Sequence, residues 1–185
     1  MQWINSRNGY GWLSIALHWL AAAGVIIMLF TGFRADMAGE AGERAARAAA
    51  MGLHISFGAV LALIFLARIA ASYAQPRPAP IAQARPLQVL SAITHHGLLL
   101  ALLIQVISGP LAVWSGGRAI NVFDLFAIPT PFAVRNEGVH ELAETLHAVG
   151  RWAIIALLSA HVLATLKHAM IDRDGVLQRM LSAKA

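Results

Sequence analysis

Histidine is the residue type in this chain best able to do chemistry: there are eight, and no cysteine. An imidazole can bind a metal through one ring nitrogen and can exchange protons near neutral pH. Four of the eight recur at His140, His147, His161 and His168, at successive intervals of 7, 14 and 7. At ~100° per residue these intervals bring a side chain back to within ~20° to ~40°, so all four fall on one stripe of a single helix. At ~1.5 Å per residue His147 and His161 lie ~21 Å apart along the axis, most of the thickness of a hydrocarbon core. One imidazole therefore sits near each face of a membrane.

The composition agrees with a membrane location. Hydrophobic residues make up 58% of the chain and charged residues 12%, with a mean hydropathy of +0.65, whereas soluble domains have about twice that charged share. Without cysteine there is no disulfide, no thiolate iron–sulfur ligation and no covalent c-type haem attachment. The formal charge of +5 does not point to nucleic acid, because the basic residues are scattered around apolar runs and form no stripe.

Four apolar runs stand out. Residues 11–33 carry no charge, and this run is too long for the apolar part of a signal peptide, so it is expected to remain as a span. Residues 34–47 mix Asp36, Glu40, Glu43, Arg44 and Arg47 with alanines and read as an exposed loop or short surface helix. The second run, 48–73, is interrupted by His54 and by Arg68, whose stem can snorkel to an interface. Prolines then make 75–86 a loop. The third run, 95–114, opens on His95-His96 and has a kink expected at Gly109-Pro110. Residues 115–138 form the longest irregular connection, a lid or partner surface, and 172–185 form a polar tail. The pattern predicts an all-α integral membrane four-helix bundle, one domain over 1–185, with spans near 12–33, 48–73, 95–114 and 147–169.

Orientation follows from Lys and Arg. Arg7, Arg68, Arg77, Arg85, Lys167, Arg173, Arg179 and Lys184 fall on one side; Arg34, Arg44, Arg47, Arg118, Arg135 and Arg151 fall on the other, among seven of the nine acids. Both termini are then cytoplasmic. In this topology His18 and His161 share the cytoplasmic level, and His54 and His147 share the opposite one. Two cross-helix pairs result, each able to give axial imidazoles to one haem iron standing between helices. A haem-free transporter with a proton relay is the competing class, but the spans contain no acidic partner. Zinc would need three or four ligands at one point, and these pairs lie at opposite faces.

The residues Gly11-Trp12, Ile15 through His18-Trp19, His54, and His147 with His161 fourteen later resemble the bacterial cytochrome b561 family over nearly the whole chain. The resemblance implies a bacterial inner-membrane cytochrome with two non-covalent b haems. It carries His54 with His147 over to the periplasmic haem and His18 with His161 to the cytoplasmic one. Some members of the family are electron-carrying subunits of larger dehydrogenases; others resemble superoxide oxidases that reduce ubiquinone.

The expected activity is single-electron transfer across the bilayer, superoxide oxidation coupled to ubiquinone reduction. The alternative is an electron-transfer subunit in which 115–138 docks a periplasmic redox protein. His168, with His95 and His96 at the start of the third span, is the candidate quinone site, since imidazoles can bond carbonyl oxygens and deliver protons. His168 equally suits a helix C-terminus, where its charged form meets the dipole. Arg135, Arg118 and Arg151 are the candidate contacts for haem propionates or an incoming anion.

Overall fold

A run of apolar residues in lipid must satisfy its backbone hydrogen bonds internally, and the helix does this within one segment. The structure, a computed structural model, describes residues 2–183, so Lys184, one of the cations used for orientation, lies outside the described residues. Four long helices dominate: α1 (Trp12–Glu40), α2 (Arg44–Ala74), α3 (Arg85–Ser115) and α4 (Glu137–Lys167). Each is long and apolar enough to cross a membrane. The four-helix membrane bundle expected from the sequence is therefore what forms.

The helices run past the apolar stretches. α1 continues through Asp36 to Glu40, and after a turn at Gly42 (φ 73°) α2 starts at Arg44. Residues 34–47 are thus two helix ends and a tight turn, not a loop, because alanine-rich charged sequence keeps high helix propensity beyond the lipid. α3 begins ten residues before its apolar run, with Pro86 in the first turn, where a missing N–H costs nothing. Pro110 lies inside α3, which continues to Ser115.

The connection between α3 and α4 holds a small antiparallel hairpin, β1 (Ile120–Val122) and β2 (Phe126–Ile128), in the register Ile120↔Ile128 and Val122↔Phe126. Its turn uses two successive left-handed residues, Phe123 (φ 49°) and Asp124 (φ 57°). A phenylalanine resists that conformation. Here it is held by a hydrogen bond from its N–H to Ser56 Oγ (2.9 Å) and by edge contact with Phe57 at 5.1 Å.

Both chain ends are fastened at the terminal end of the bundle. Gly11 N–H donates to Asn5 Oδ1, and Asn5 N–H donates to Gln75 Oε1. A Cβ at Gly11 would collide with the Trp3 carbonyl, so glycine is required there. The expected polar tail is also ordered: α4 runs into a π-helical turn (His168–Asp172) and then a 3-10 turn (Leu177–Met180). Trp19 Nε1 donates to the Met180 carbonyl and Arg179 to that of Ala79.

The bundle packs as two antiparallel pairs, α1 with α2 and α3 with α4, joined chiefly through α2 and α3. All four helices contribute to a core of Ala21, Phe65, Ala101, Leu102 and Ile154. It lies midway between the two histidine levels, and Gly24 lets the Phe65 ring approach to 3.1 Å of where a Cβ would be. Phe65→Ala should cost ~3–4 kcal/mol by lost contacts and a residual cavity, measured by unfolding in mixed micelles. Leu63→Ala, at 72% exposure, should stay within ~0.5 kcal/mol of wild type.

Candidate functional site

The helix ladder puts His54 on α2 and His147 on α4 at the end of the bundle away from the termini. Their ring centroids are 6.1 Å apart and their planes cross at 85°. His18 on α1 and His161 on α4 face one another at the terminal end, also at 6.1 Å, with planes at 62°. Two imidazoles on opposite sides of one metal, at ~2 Å per metal–nitrogen bond and ~1.2 Å from nitrogen to ring centre, would have centroids about 6.4 Å apart. Both pairs fit that spacing.

The nitrogen that would face the metal is decided by hydrogen bonds. His54 Nδ1 lies 3.1 Å from the Met28 carbonyl and 3.1 Å from Thr31 Oγ1. A carbonyl can only accept, so Nδ1 carries the proton and Nε2 keeps its lone pair. His147 Nδ1 lies 3.1 Å from Ser108 Oγ, a side chain only 2% exposed. Both rings lie against a glycine of the neighbouring helix: a Cβ on Gly32 would come 3.3 Å from His54 Cε1, and one on Gly109 would come 3.2 Å from His147 Cε1. Fixing the tautomer through the second nitrogen is how proteins orient imidazole ligands.

The terminal-end pair is built differently. Among the described residues neither His18 nor His161 has a protein hydrogen bond to its ring. A third imidazole, His95, stands 5.3 Å from His161. Its Nδ1–H donates to the Ser91 carbonyl at 2.7 Å, which leaves Nε2 free. At 5.3 Å the His95–His161 spacing is shorter than that of two imidazoles on opposite sides of one metal.

The remaining candidates separate. His96 turns away from His95, toward Tyr73 (6.2 Å) and Arg77 (3.4 Å). His168 bonds Asp174 at 2.6 Å, with Asp172 at 3.2 Å, because the π-helical turn and left-handed Arg173 (φ 51°) bring the chain back on itself. No contact joins His168 to His95 or His96 among the described residues. Desolvation acts to raise the pKa of Asp174, but hydrogen bonds from Val176 N–H and from His168 outweigh it and hold the carboxyl below its ordinary 3.8.

Two of the three arginines are already paired. Arg135 is bidentate to Glu137 at 2.5 and 2.8 Å. Arg151 meets Asp36 at 2.5 Å and lies over the rings of Phe33 and Trp152. An acidic partner therefore does reach the bundle, by way of the helical extension of α1. Arg118 has no ion pair among the described residues and lines a surface cleft with Gly52 and Ile55, which flank His54. His140, on the α4 stripe, instead clamps helices together: its Nδ1–H donates to the Ala112 carbonyl of α3 at 2.8 Å.

Thr31, Ser108 and Gly32 give no signal in the sequence, since small residues are ordinary inside apolar runs, while Gly109 reads there only as a kink and Asp36 only as part of an exposed segment. Gln105 did offer one, as a lone amide within the apolar part of α3.

Membrane-length helices around facing imidazoles, with the second ring nitrogen held at one pair, describe a class: a membrane electron-transfer protein with non-covalent b-type haem. The family model for prokaryotic cytochrome b561 matches residues 9–183. Cytochrome b561 homolog 2 of Escherichia coli (strain K12) is 32% identical over 182 residues, covering 98% of this chain and 95% of that one. The probable Ni/Fe-hydrogenase B-type cytochrome subunit of Bradyrhizobium diazoefficiens is 24% identical, covering 90% and 81%. The chain belongs to the prokaryotic cytochrome b561 family, a family of membrane electron-transfer proteins carrying b-type haem.

Asp36→Asn should remove the counter-ion of Arg151 and cost roughly 1–2 kcal/mol, less than for a fully buried pair because the side chains are 45% and 27% exposed. Combining it with Arg151→Met should recover most of that loss. A double-mutant cycle in mixed micelles measures the coupling.

Proposed function

We propose that the chain holds two b haems, one between His54 and His147 and one between His18 and His161, and moves single electrons across the bilayer. The observation that carries this reading is the equal 6.1 Å spacing of two imidazole pairs at opposite ends of one bundle. Each haem supplies a reversible one-electron couple when bound. The protein's part is to fix two imidazoles per site, to exclude water with lipid-facing helices and to set the two sites ~21 Å apart along α4. The end with both termini is cytoplasmic in this reading, and the membrane is the bacterial inner membrane.

At the opposite, periplasmic end the donor is superoxide, which loses one electron and leaves as dioxygen with no bond broken. Arg118, without an ion pair among the described residues and in a cleft against the end of α2 that carries His54, would draw in such an anion, while Arg135 and Arg151 are neutralised by carboxylates. At the cytoplasmic end two electrons and two protons convert ubiquinone to ubiquinol. His95, next to His161, is placed to bond a quinone carbonyl. His168, backed by Asp172 and Asp174, and His96, beside Arg77, lie at the same end as proton-exchanging groups.

A second reading has a specific observation in its favour. One relative bears the name of a hydrogenase cytochrome subunit, and the hairpin exposes Leu125 (80%) and Phe126 (58%). In that reading the 115–138 connection docks a periplasmic redox protein and the chain is its electron outlet to the quinone pool.

Stopped-flow mixing separates the two: the purified chain should be reduced by superoxide and reoxidised by a ubiquinone analogue, and failure of the first step would favour the partner-dependent subunit. The superoxide rate should fall with ionic strength, and Arg118→Glu should slow it several-fold without loss of haem, while Arg135→Glu has little effect. In reduced-minus-oxidised spectra His54→Ala and His147→Ala should remove one and the same haem, and His18→Ala and His161→Ala the other. A wild type with a single haem, or pairs that cross over, would refute the assignment.

A further inference from the structure

Helix α3 gives no imidazole to either pair, yet its Gln105 is inserted against the backbone of α4 beside His147. With its amide nitrogen turned toward α4, Gln105 donates to the His147 carbonyl at 3.0 Å and accepts from the Arg151 N–H at 3.2 Å. The opposite orientation would set oxygen against oxygen and N–H against N–H. These two backbone groups are partners, four residues apart, in the α-helical ladder. The Gln105 amide therefore lies alongside one rung of α4 and fastens it to α3. Gly150, within that turn, makes the approach possible, since a Cβ there would come 3.1 Å from the Gln105 amide group.

The same amide nitrogen lies 3.1 Å from His147 Nδ1. A ring that binds iron through Nε2 keeps its proton on Nδ1, and two donors cannot bond one another. The Nδ1–H must then go to Ser108 Oγ, also at 3.1 Å. Gln105 thus closes one side of the ring, Ser108 accepts on the other, and Gly109 lies beneath Cε1. Here the two ring planes stand at 85°, against 62° in the other pair, whose rings lack any such hydrogen bond among the described residues.

We propose that Gln105 is a positioning residue that locks the α4 rung at His147 and so holds the His147 imidazole perpendicular to that of His54. This rests on the reading that His54 and His147 hold a haem. The angle has an electronic consequence. Perpendicular axial imidazoles act equally on the two iron orbitals with which they overlap, leave them nearly degenerate, and make the low-spin ferric signal strongly anisotropic. A ring free to turn toward its partner splits those orbitals and brings the signal back toward the ordinary rhombic form.

The test is electron paramagnetic resonance of the oxidised holoprotein in detergent, with haem content measured on the same samples. Gln105→Leu should keep both haems and shift the low-field line of the His54/His147 haem toward the rhombic position, with the other haem's line unmoved. Gly150→Ala, which pushes on the same amide from within the α4 turn, should displace the same line. If both variants retain haem and leave the spectrum as in wild type, Gln105 does not position His147. His147→Ala checks the underlying reading separately: it should abolish that line, and its survival would overturn the haem assignment and leave nothing for Gln105 to position.

Discussion

The hydrogen bond from an imidazole Nδ1 to the neighbouring helix is the interaction on which the far end of this bundle depends. For His54 the acceptor is a backbone carbonyl, which leaves one tautomer and one free nitrogen. The acceptor belongs to α1, the antiparallel partner of α2, just as Ser108 belongs to α3, the partner of α4. Each helical hairpin thus orients its own imidazole. The glycines at 32 and 109 follow from this, because a side chain at either place would push the ring off its partner helix.

The two ends of the bundle surround their imidazoles differently. At the far end hydroxyls, a carbonyl and an inserted amide hold the rings, and the Arg151–Asp36 pair closes α4 onto α1. At the terminal end a third imidazole stands beside the pair, and the docked tail places His168 and two carboxylates nearby. A fixed environment suits electron transfer with little rearrangement. In the proposed function, several titratable groups suit an end where electrons and protons arrive together. Phe65 and its small neighbours fill the space between, so the core that stabilises the bundle also sets the separation of its two sites.

Charge is distributed in the same spirit. The far end carries both signs of charge, and two of its arginines are held by acids: Arg135 by Glu137 and Arg151 by Asp36. Arg118, in a cleft lined also by Gly52 and Ile55 of α2, has no ion pair among the described residues.

The sequence by itself determined the class of the molecule and the level of each histidine. Lipid leaves a long apolar run no stable form but the helix, and 3.6-residue periodicity with a 14-residue interval converts position directly into depth. The family was legible for the same reason, since its motifs are those histidines. At 34–47, read as an exposed loop or short surface helix, hydropathy falls but alanine propensity carries both neighbouring helices on, and the polar tail is docked by contacts that its composition does not announce. Only the tertiary structure decided which groups meet: that His95 faces His161 while His96 turns outward, that Arg151 is taken by Asp36, and that Thr31, Ser108 and Gln105 surround two of the imidazoles. These are contacts between residues 23 to 115 positions apart. They depend on the rotation and lateral packing of helices, which a one-dimensional pattern does not encode.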